Sequence, residues 1–278
     1  MAAGAEAAAA AAGERVAVRG GGTRGRRGWP GADPPRTLET TAMRRVVAHE
    51  QADLTITVEA GLPATELVAL AAEGGQGWPQ ADVRPGSTVG GVLASAASGR
   101  ARLRYGPVRD SVLEVLLATG DGRLIKGGGR TVKNVSGYDI PRLVVGSLGT
   151  LGAIVQATLK LWPLPPARAW FGAEGDRAEL ADLARRVLAG PARPAAALLL
   201  PGRLAVELAG AEADVTAPAG MAPLPAAPPE PAGRGLVEAG VPPPRLPDLA
   251  ARLEEAGLDY EARLGVGTCL AAVERAAD

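Results

Sequence analysis

Three short stretches concentrate glycine where the flanking residues read as strand: "RGGGTR" at 19–24, "PGSTVGG" at 85–91 and "VGSLGTLGAIV" at 145–155. Glycine tolerates positive φ and lets another group come into contact with the backbone. Successive exposed N–H groups in such a loop form a nest for an anion, and a helix start adds partial positive charge. A hydrogen bond to a charged group is worth about 1.5–3 kcal/mol. Several together hold a phosphate group without any lysine. The stretch 85–110 takes the pattern furthest. It carries five glycines and a run of small residues, followed by Arg100, Arg102, Arg104 and Arg109. So much missing side chain in one place implies that something large lies against the backbone. Tight turns between strands would use the same glycines, and the loops match neither G-x-G-x-x-G nor the P-loop.

Residues for other chemistry are few. His49 is the one histidine and Cys269 the one cysteine. A lone cysteine excludes an internal disulfide and a multi-cysteine metal site. A lone histidine leaves no pair for zinc or iron, so no metal centre is expected. No Ser-His-Asp or paired-carboxylate constellation stands out, and the catalytic residues stay unassigned. His49 and Cys269 read as structural.

The elements that must position the glycine loops follow from periodicity. "AEAAAAAAGE" reads as a helix ended by Gly13, and "RVAVRGG" as a short buried strand entering the first loop. "DLTITVEAG" alternates Leu54, Ile56 and Val58 with polar residues, the pattern of a half-buried strand. "PATELVALAAEGG" predicts a helix with Pro63 near its start and Gly74 at its stop. "SVLEVLLATGDGRLIKGG" predicts two strands joined at "GDG", and "GAIVQATLKLWPL" a further strand closed by Pro163. Beyond Pro166 the order reads strand, helix, two strands. Ten prolines then fall between Pro218 and Pro247, which predicts a linker or loop without a regular element. "DLAARLEEAG" is a helix, and a strand-like tail closes the chain.

At 278 residues the chain makes one large domain or two smaller ones. Apolar residues reach 47% but aromatic ones only 3%, so the core is aliphatic. Thirty basic and thirty acidic residues balance, which removes the bulk electrostatic case for nucleic acid or an anionic membrane. No run approaches the length of a membrane span. The start carries Glu6 and no basic region, unlike a signal peptide. A reduced compartment, the cytoplasm, is the expectation.

The ordered set "VAVRGGGTR", "LTITVEAGLPATELVALAAEGG", "GSTVGGVLASAASG" and "RYGPVRDSVLEVLLATGDGRLIKGGGRTVKNVSGYDIPRLVVGSLGTLGAIVQATLKLWPLP" resembles the FAD-binding domain of the p-cresol methylhydroxylase (PCMH) / vanillyl-alcohol oxidase superfamily. It runs from about Arg15 to Pro165. Within that superfamily "KNVSGYDIPRLVVGSLGTLG" is most similar to the FAD-binding, E-type subunits of glycolate oxidase. The resemblance implies an α+β fold: a two-part PCMH-type FAD-binding domain over 1–165, then a small, reduced α+β cap over 166–278 containing the proline-rich segment 218–247. It implies non-covalent FAD and flavin-dependent oxidation of a small 2-hydroxy acid. It implies partner subunits, a related flavoprotein and an iron–sulfur protein, through which a peripheral membrane position is available. The alternative is a flavin-bearing electron-relay or assembly subunit with no substrate site of its own.

By the same resemblance, Arg19, Gly20, Gly21, Gly22 and Thr23 wrap the FAD pyrophosphate. Pro85, Gly86, Ser87, Thr88, Val89, Gly90 and Gly91 meet pyrophosphate and flavin by backbone. Ala94, Ser95, Ser98 and Gly99 pack behind them, and Tyr105, Gly106 and Asp110 lie beside FAD. Gly149, Gly152 and Ile154 meet the adenine end. Lys133, Tyr138 and Asp139 fall in a structural connection. Ala96 stands where many relatives carry Asn, and Leu148 where the catalytic D-type subunits carry Glu; both departures suit an E-type subunit. Relatives begin with a strand and a longer helix, so the front of this domain reads as shortened.

Overall fold

The computed structural model describes residues 16–24, 36–129, 138–233 and 235–273. The alanine helix expected before Gly13 and the Lys133 position lie outside them. The chain divides into two compact units, one of residues 1–99 with 107–164 and one of residues 100–106 with 165–278.

The first unit begins with β1 (Val16–Arg19) and β2 (Arg36–Glu39), which pair in parallel. It continues through β3 (Val46–Glu50), β4 (Thr55–Glu59), the two-residue β5 (Gln76–Gly77), β6 (Val112–Ala118), β7 (Leu124–Gly128), β8 (Ala153–Lys160) and the two-residue β9 (Trp162–Pro163). Five of these form an antiparallel sheet in the order β3-β4-β8-β6-β7. The expected hairpin is β6–β7, turned through Gly122 at φ +81°.

All five residues of β4 are buried, against the half-buried expectation. Its position between β3 and β8 explains this, since a strand flanked on both sides and covered on both faces hides its polar residues too. Ile56 and Val58 enter the core, while Thr57 Oγ1 meets Thr158 Oγ1 of β8 at 2.9 Å on the other face. Helix Ala64–Glu73 starts after Pro63, stops at Gly74, and buries Ala64, Leu67 and Ala71. That spacing of three and four is one helical face. The shorter helix Val89–Ala94 buries Val89, Val92 and Leu93 against the same core.

The second unit holds β10 (Ala167–Glu174), β11 (Ala196–Leu200), β12 (Arg203–Gly210), β13 (Ala222–Leu224), β14 (Gly235–Gly240), β15 (Tyr260–Arg263) and β16 (Thr268–Val273). They form one antiparallel sheet in the order β13-β10-β12-β11-β15-β16-β14. Helices Arg177–Ala189 and Leu246–Glu255 supply Leu180, Leu183, Val187 and Leu246 to its core. The first of these helices is capped by Asp176, whose carboxylate accepts from the Glu179 N–H at 2.9 Å. That is the N-cap chemistry a D-x-x-E start provides.

The proline-rich segment is not a plain linker. It contributes β13 and β14, which are the two edges of this sheet. An edge strand uses only one side of its backbone, so β13 tolerates Pro223, and β14 fits the proline-free run between Pro231 and Pro242. Arg100–Gly106, quoted above within one continuous stretch, belongs to the second unit. Leu103 packs on that unit's core, and Arg100 Nη1 donates to the Pro228 carbonyl at 2.7 Å.

Candidate functional site

The three glycine stretches meet in one cleft of the first unit. The first contributes Arg19, Gly20, Gly21, Gly22 and Thr23, the second Thr88, Gly90, Gly91, Ala94 and Ser95, and the third Gly149, Gly152 and Ile154. Four residues that sequence reasoning missed line it as well: Val18, Arg24, Thr40 and Leu148. Thr40 arrives because β2 runs beside β1, with its N–H and Oγ1 on the Arg19 carbonyl at 2.9 and 3.2 Å. No local signal marks it. Arg24 and Leu148 sit inside the glycine motifs themselves and were legible there. The enclosed space is about 170 Å³, below the roughly 300–1,000 Å³ of a closed small-molecule pocket. A ligand of dinucleotide size therefore lies along an open groove.

The glycines divide into two kinds. A Cβ on Gly20 would come 2.3 Å from Thr88 Oγ1, on Gly21 1.6 Å from the Gly86 carbonyl oxygen, on Gly90 2.7 Å from Ala60 Cβ, and on Gly99 2.6 Å from the Ala81 carbonyl. These four are small so that protein can pack on protein. Gly22, Gly91 and Gly149 differ. The nearest atoms to an added Cβ are at 3.3, 3.1 and 3.4 Å, and each belongs to a side chain. At these three positions bare backbone faces the cleft. Gly22 and Gly149 also sit at φ +72° and +80°, where a side chain is strained.

Backbone donors divide the same way. In the second loop the N–H groups of Ser87, Val89 and Gly90 are taken by the carbonyls of Arg84, Leu62 and Ala60, and that of Gly91 by Thr88 Oγ1 at 3.2 Å. Four N–H groups of this loop are therefore used within the protein, while those of Gly86 and Thr88 donate no hydrogen bond among the described residues. In the third loop Gly146 and Leu148 donate to Leu93 and Ala94, which ties that loop to helix Val89–Ala94. Among the described residues, the N–H groups of Gly21, Gly22 and Thr23 donate no hydrogen bond. The first loop therefore presents three consecutive unused N–H donors.

The remaining expected site residues lie off the cleft lining. Pro85, Gly86 and Ser87 back the first loop through the Gly21–Gly86 approach, and Val89 is buried in the core. Ser98 Oγ accepts from the Val108 N–H at 3.1 Å, and Gly99 donates to the Gln80 carbonyl. Tyr105 and Gly106 sit in the second unit. Asp110 carries Arg109 and Arg142 at 3.8 and 3.6 Å. Tyr138 is exposed, and Asp139 caps helix Ile140–Val144 by accepting from the Arg142 N–H at 3.1 Å. His49 Nε2 lies 3.1 Å from Gln76 Oε1, away from the cleft. Cys269 is buried in β16, and burial, with Glu261 nearby, pushes its thiol up to about 11.

Free N–H donors and bare backbone along one cleft suit an anionic ligand with flat groups. Comparison with known proteins points the same way. Residues 3–128 match the model of the FAD binding domain family. The glycolate oxidase subunit GlcE of Escherichia coli is 37% identical over 134 residues, 48% of this chain and 38% of that protein. The mitochondrial cytochrome D-lactate dehydrogenase of Arabidopsis thaliana is 37% identical over 128 residues, 46% of this chain and 22% of that protein. A solved alkyldihydroxyacetonephosphate synthase shares the fold, with a TM-score of 0.62 at 17% identity over 76% of this chain and 48% of the other. The matched stretches span well under two thirds of these curated relatives. No helix among the described residues is long and apolar enough to cross a membrane. The third glycine stretch lies beyond the family match, yet the fold brings it to the same cleft. Over residues 3–128 this chain thus matches an FAD binding domain, and FAD is the cofactor that the match supports.

Proposed function

We propose that this chain is the FAD-binding subunit of a glycolate-oxidase-like complex that oxidises a small 2-hydroxy acid. The observation that carries the reading is the cleft built from three glycine stretches, in a domain 37% identical to a glycolate oxidase subunit. When bound, FAD supplies hydride-accepting chemistry, and the chain's residues hold and orient it. Gly21, Gly22 and Thr23 offer N–H donors to its charged centre, while Gly91, Ala94 and Gly149 leave room for flat groups. Binding is non-covalent in this reading, because His49 and Cys269 both lie away from the cleft. The second unit is the cap, and the partners are a related flavoprotein and an iron–sulfur subunit. The complex is cytoplasmic and reaches the membrane only through its partners.

A second reading is favoured by one feature. The only histidine is held by Gln76, and no other imidazole exists to act as a base. On that reading the chain relays electrons or supports assembly without a substrate site of its own. Anaerobic addition of glycolate or D-lactate, to the chain alone and to the chain co-expressed with its neighbouring subunits, separates the two. Bleaching of this chain's own flavin band in the complex, as the 2-hydroxy acid is oxidised to the 2-oxo acid, supports the first. Bleaching confined to a partner's flavin, with this FAD reduced later, supports the second.

A further inference from the structure

Arg24 closes the first glycine loop, and its side chain is nine-tenths hidden, with 10% exposed. One terminal nitrogen, Nη2, donates to Asp82 Oδ2 and to the Asp82 backbone carbonyl, both at 2.8 Å. The other, Nη1, is buried and has no hydrogen-bond partner. A guanidinium nitrogen removed from water and left unpaired is costly, and charged donors cost most. Native structures keep such a group where something else completes it. The same Asp82 carboxylate also receives Arg84 Nε at 3.0 Å, so two guanidiniums share one negative charge. Arg24 lines the cleft directly after Gly21, Gly22 and Thr23, the residues whose N–H groups are unused. Arg24, which carries the orphan cationic donor, and the three residues with unused N–H groups thus follow one another in the chain and line one cleft.

From this we infer that Arg24 is a binding residue for the diphosphate of the dinucleotide. Asp82 is its positioning residue, holding the planar fork by one nitrogen so that the other serves the ligand. This deepens the FAD reading above and rests on it. The fork geometry matters, because a lysine ammonium held by Asp82 has no second fixed nitrogen to present.

The test is titration of the cofactor-free chain with FAD, followed by flavin fluorescence, and with ADP as a competitor carrying only the diphosphate half. Arg24→Met is expected to weaken both by about tenfold to a hundredfold, the worth of one hydrogen bond to a charged group. Arg24→Lys keeps the ion pair with Asp82, melts like the wild type without cofactor, and still binds FAD severalfold more weakly. It decides the matter alone if the methionine variant does not fold. Wild-type FAD affinity in both variants would overturn the inference, and so would FAD weakening with ADP binding untouched. A wild-type chain that takes up no FAD would instead sink the reading on which the inference rests.

Discussion

Gly90 and Gly91 are neighbours in one helix and do opposite work. An added Cβ at Gly90 meets Ala60 Cβ at 2.7 Å and the Ala60 carbonyl oxygen at 3.0 Å, and neither atom can swing away. Gly90→Ala should therefore lower the melting temperature of the cofactor-free protein, by overpacking worth about 1–3 kcal/mol. At Gly91 the nearest atom is Thr88 Oγ1 at 3.1 Å, and the residue borders the cleft. Gly91→Val should leave the cofactor-free protein close to wild type and remove FAD uptake. The readout is the melting-temperature rise with added FAD, a stabilisation of about 2.7 kcal/mol at a hundredfold excess over Kd. Stoichiometric FAD in the valine variant would take Gly91 out of the site. In the sequence the two glycines are indistinguishable, because only the identity of the facing atoms tells packing from binding.

At the scale of elements, helix Val89–Ala94 ends in a Schellman turn. Ala96 donates to Leu93 and Ala97 to Val92, both at 3.0 Å, with Ala96 at φ +49°. Glycine or asparagine normally fills this left-handed position. Ala96→Gly relieves strain of about 1–2 kcal/mol and gives back roughly 0.4–1 kcal/mol in unfolded-chain entropy. A small net gain in thermal stability is expected; a loss would show that the alanine methyl is making contacts that matter. A second element-level device pins β4. Burial pushes the Glu59 carboxyl up, but Arg45 outweighs it with Nε and Nη2 on Oε1 at 2.9 and 2.7 Å and its backbone N–H on Oε2 at 2.9 Å. The net result lies below the usual carboxylate range. A native value below the unfolded one means that the unfolded chain binds more protons in acid. The contribution is present at neutral pH and is lost as pH falls below about 4.3 and through the native value. Glu59→Gln should flatten acid unfolding in that window, followed by circular dichroism. An unchanged acid limb would assign the transition to other carboxylates.

For the whole molecule, the cleft draws on residues from Val18 to Ile154, all within the first unit. Neither His49 nor Cys269, nor any described tyrosine, borders it. Purified protein is therefore expected to be yellow, and acid precipitation to release all of its flavin to the supernatant. Colour retained in the washed pellet would contradict non-covalent binding. The second unit is built as one continuous sheet with β13 and β14 at its edges, and Pro223 in β13 removes a ladder donor at one of them.

Much of this was readable from local pattern alone. The helix Ala64–Glu73, the β6–β7 hairpin and the strands β8, β10, β11 and β12 follow from periodicity and turn residues, which act over a few neighbours. The glycine motifs likewise marked backbone-lined loops, and the fold brings all three to one cleft. What the sequence left open depends on partners distant along the chain. Burial of β4 on both faces needs β3 and β8 beside it, and β14 as a strand needs β16 to pair with. Which N–H groups stay free was decided only when Ala60, Leu62 and Arg84 took those of Gly90, Val89 and Ser87. Arg24 became a candidate only once Asp82, 58 residues away, had claimed one of its nitrogens and left the other buried. Hydrogen-bond satisfaction is a property of the folded whole, and no window of sequence contains it.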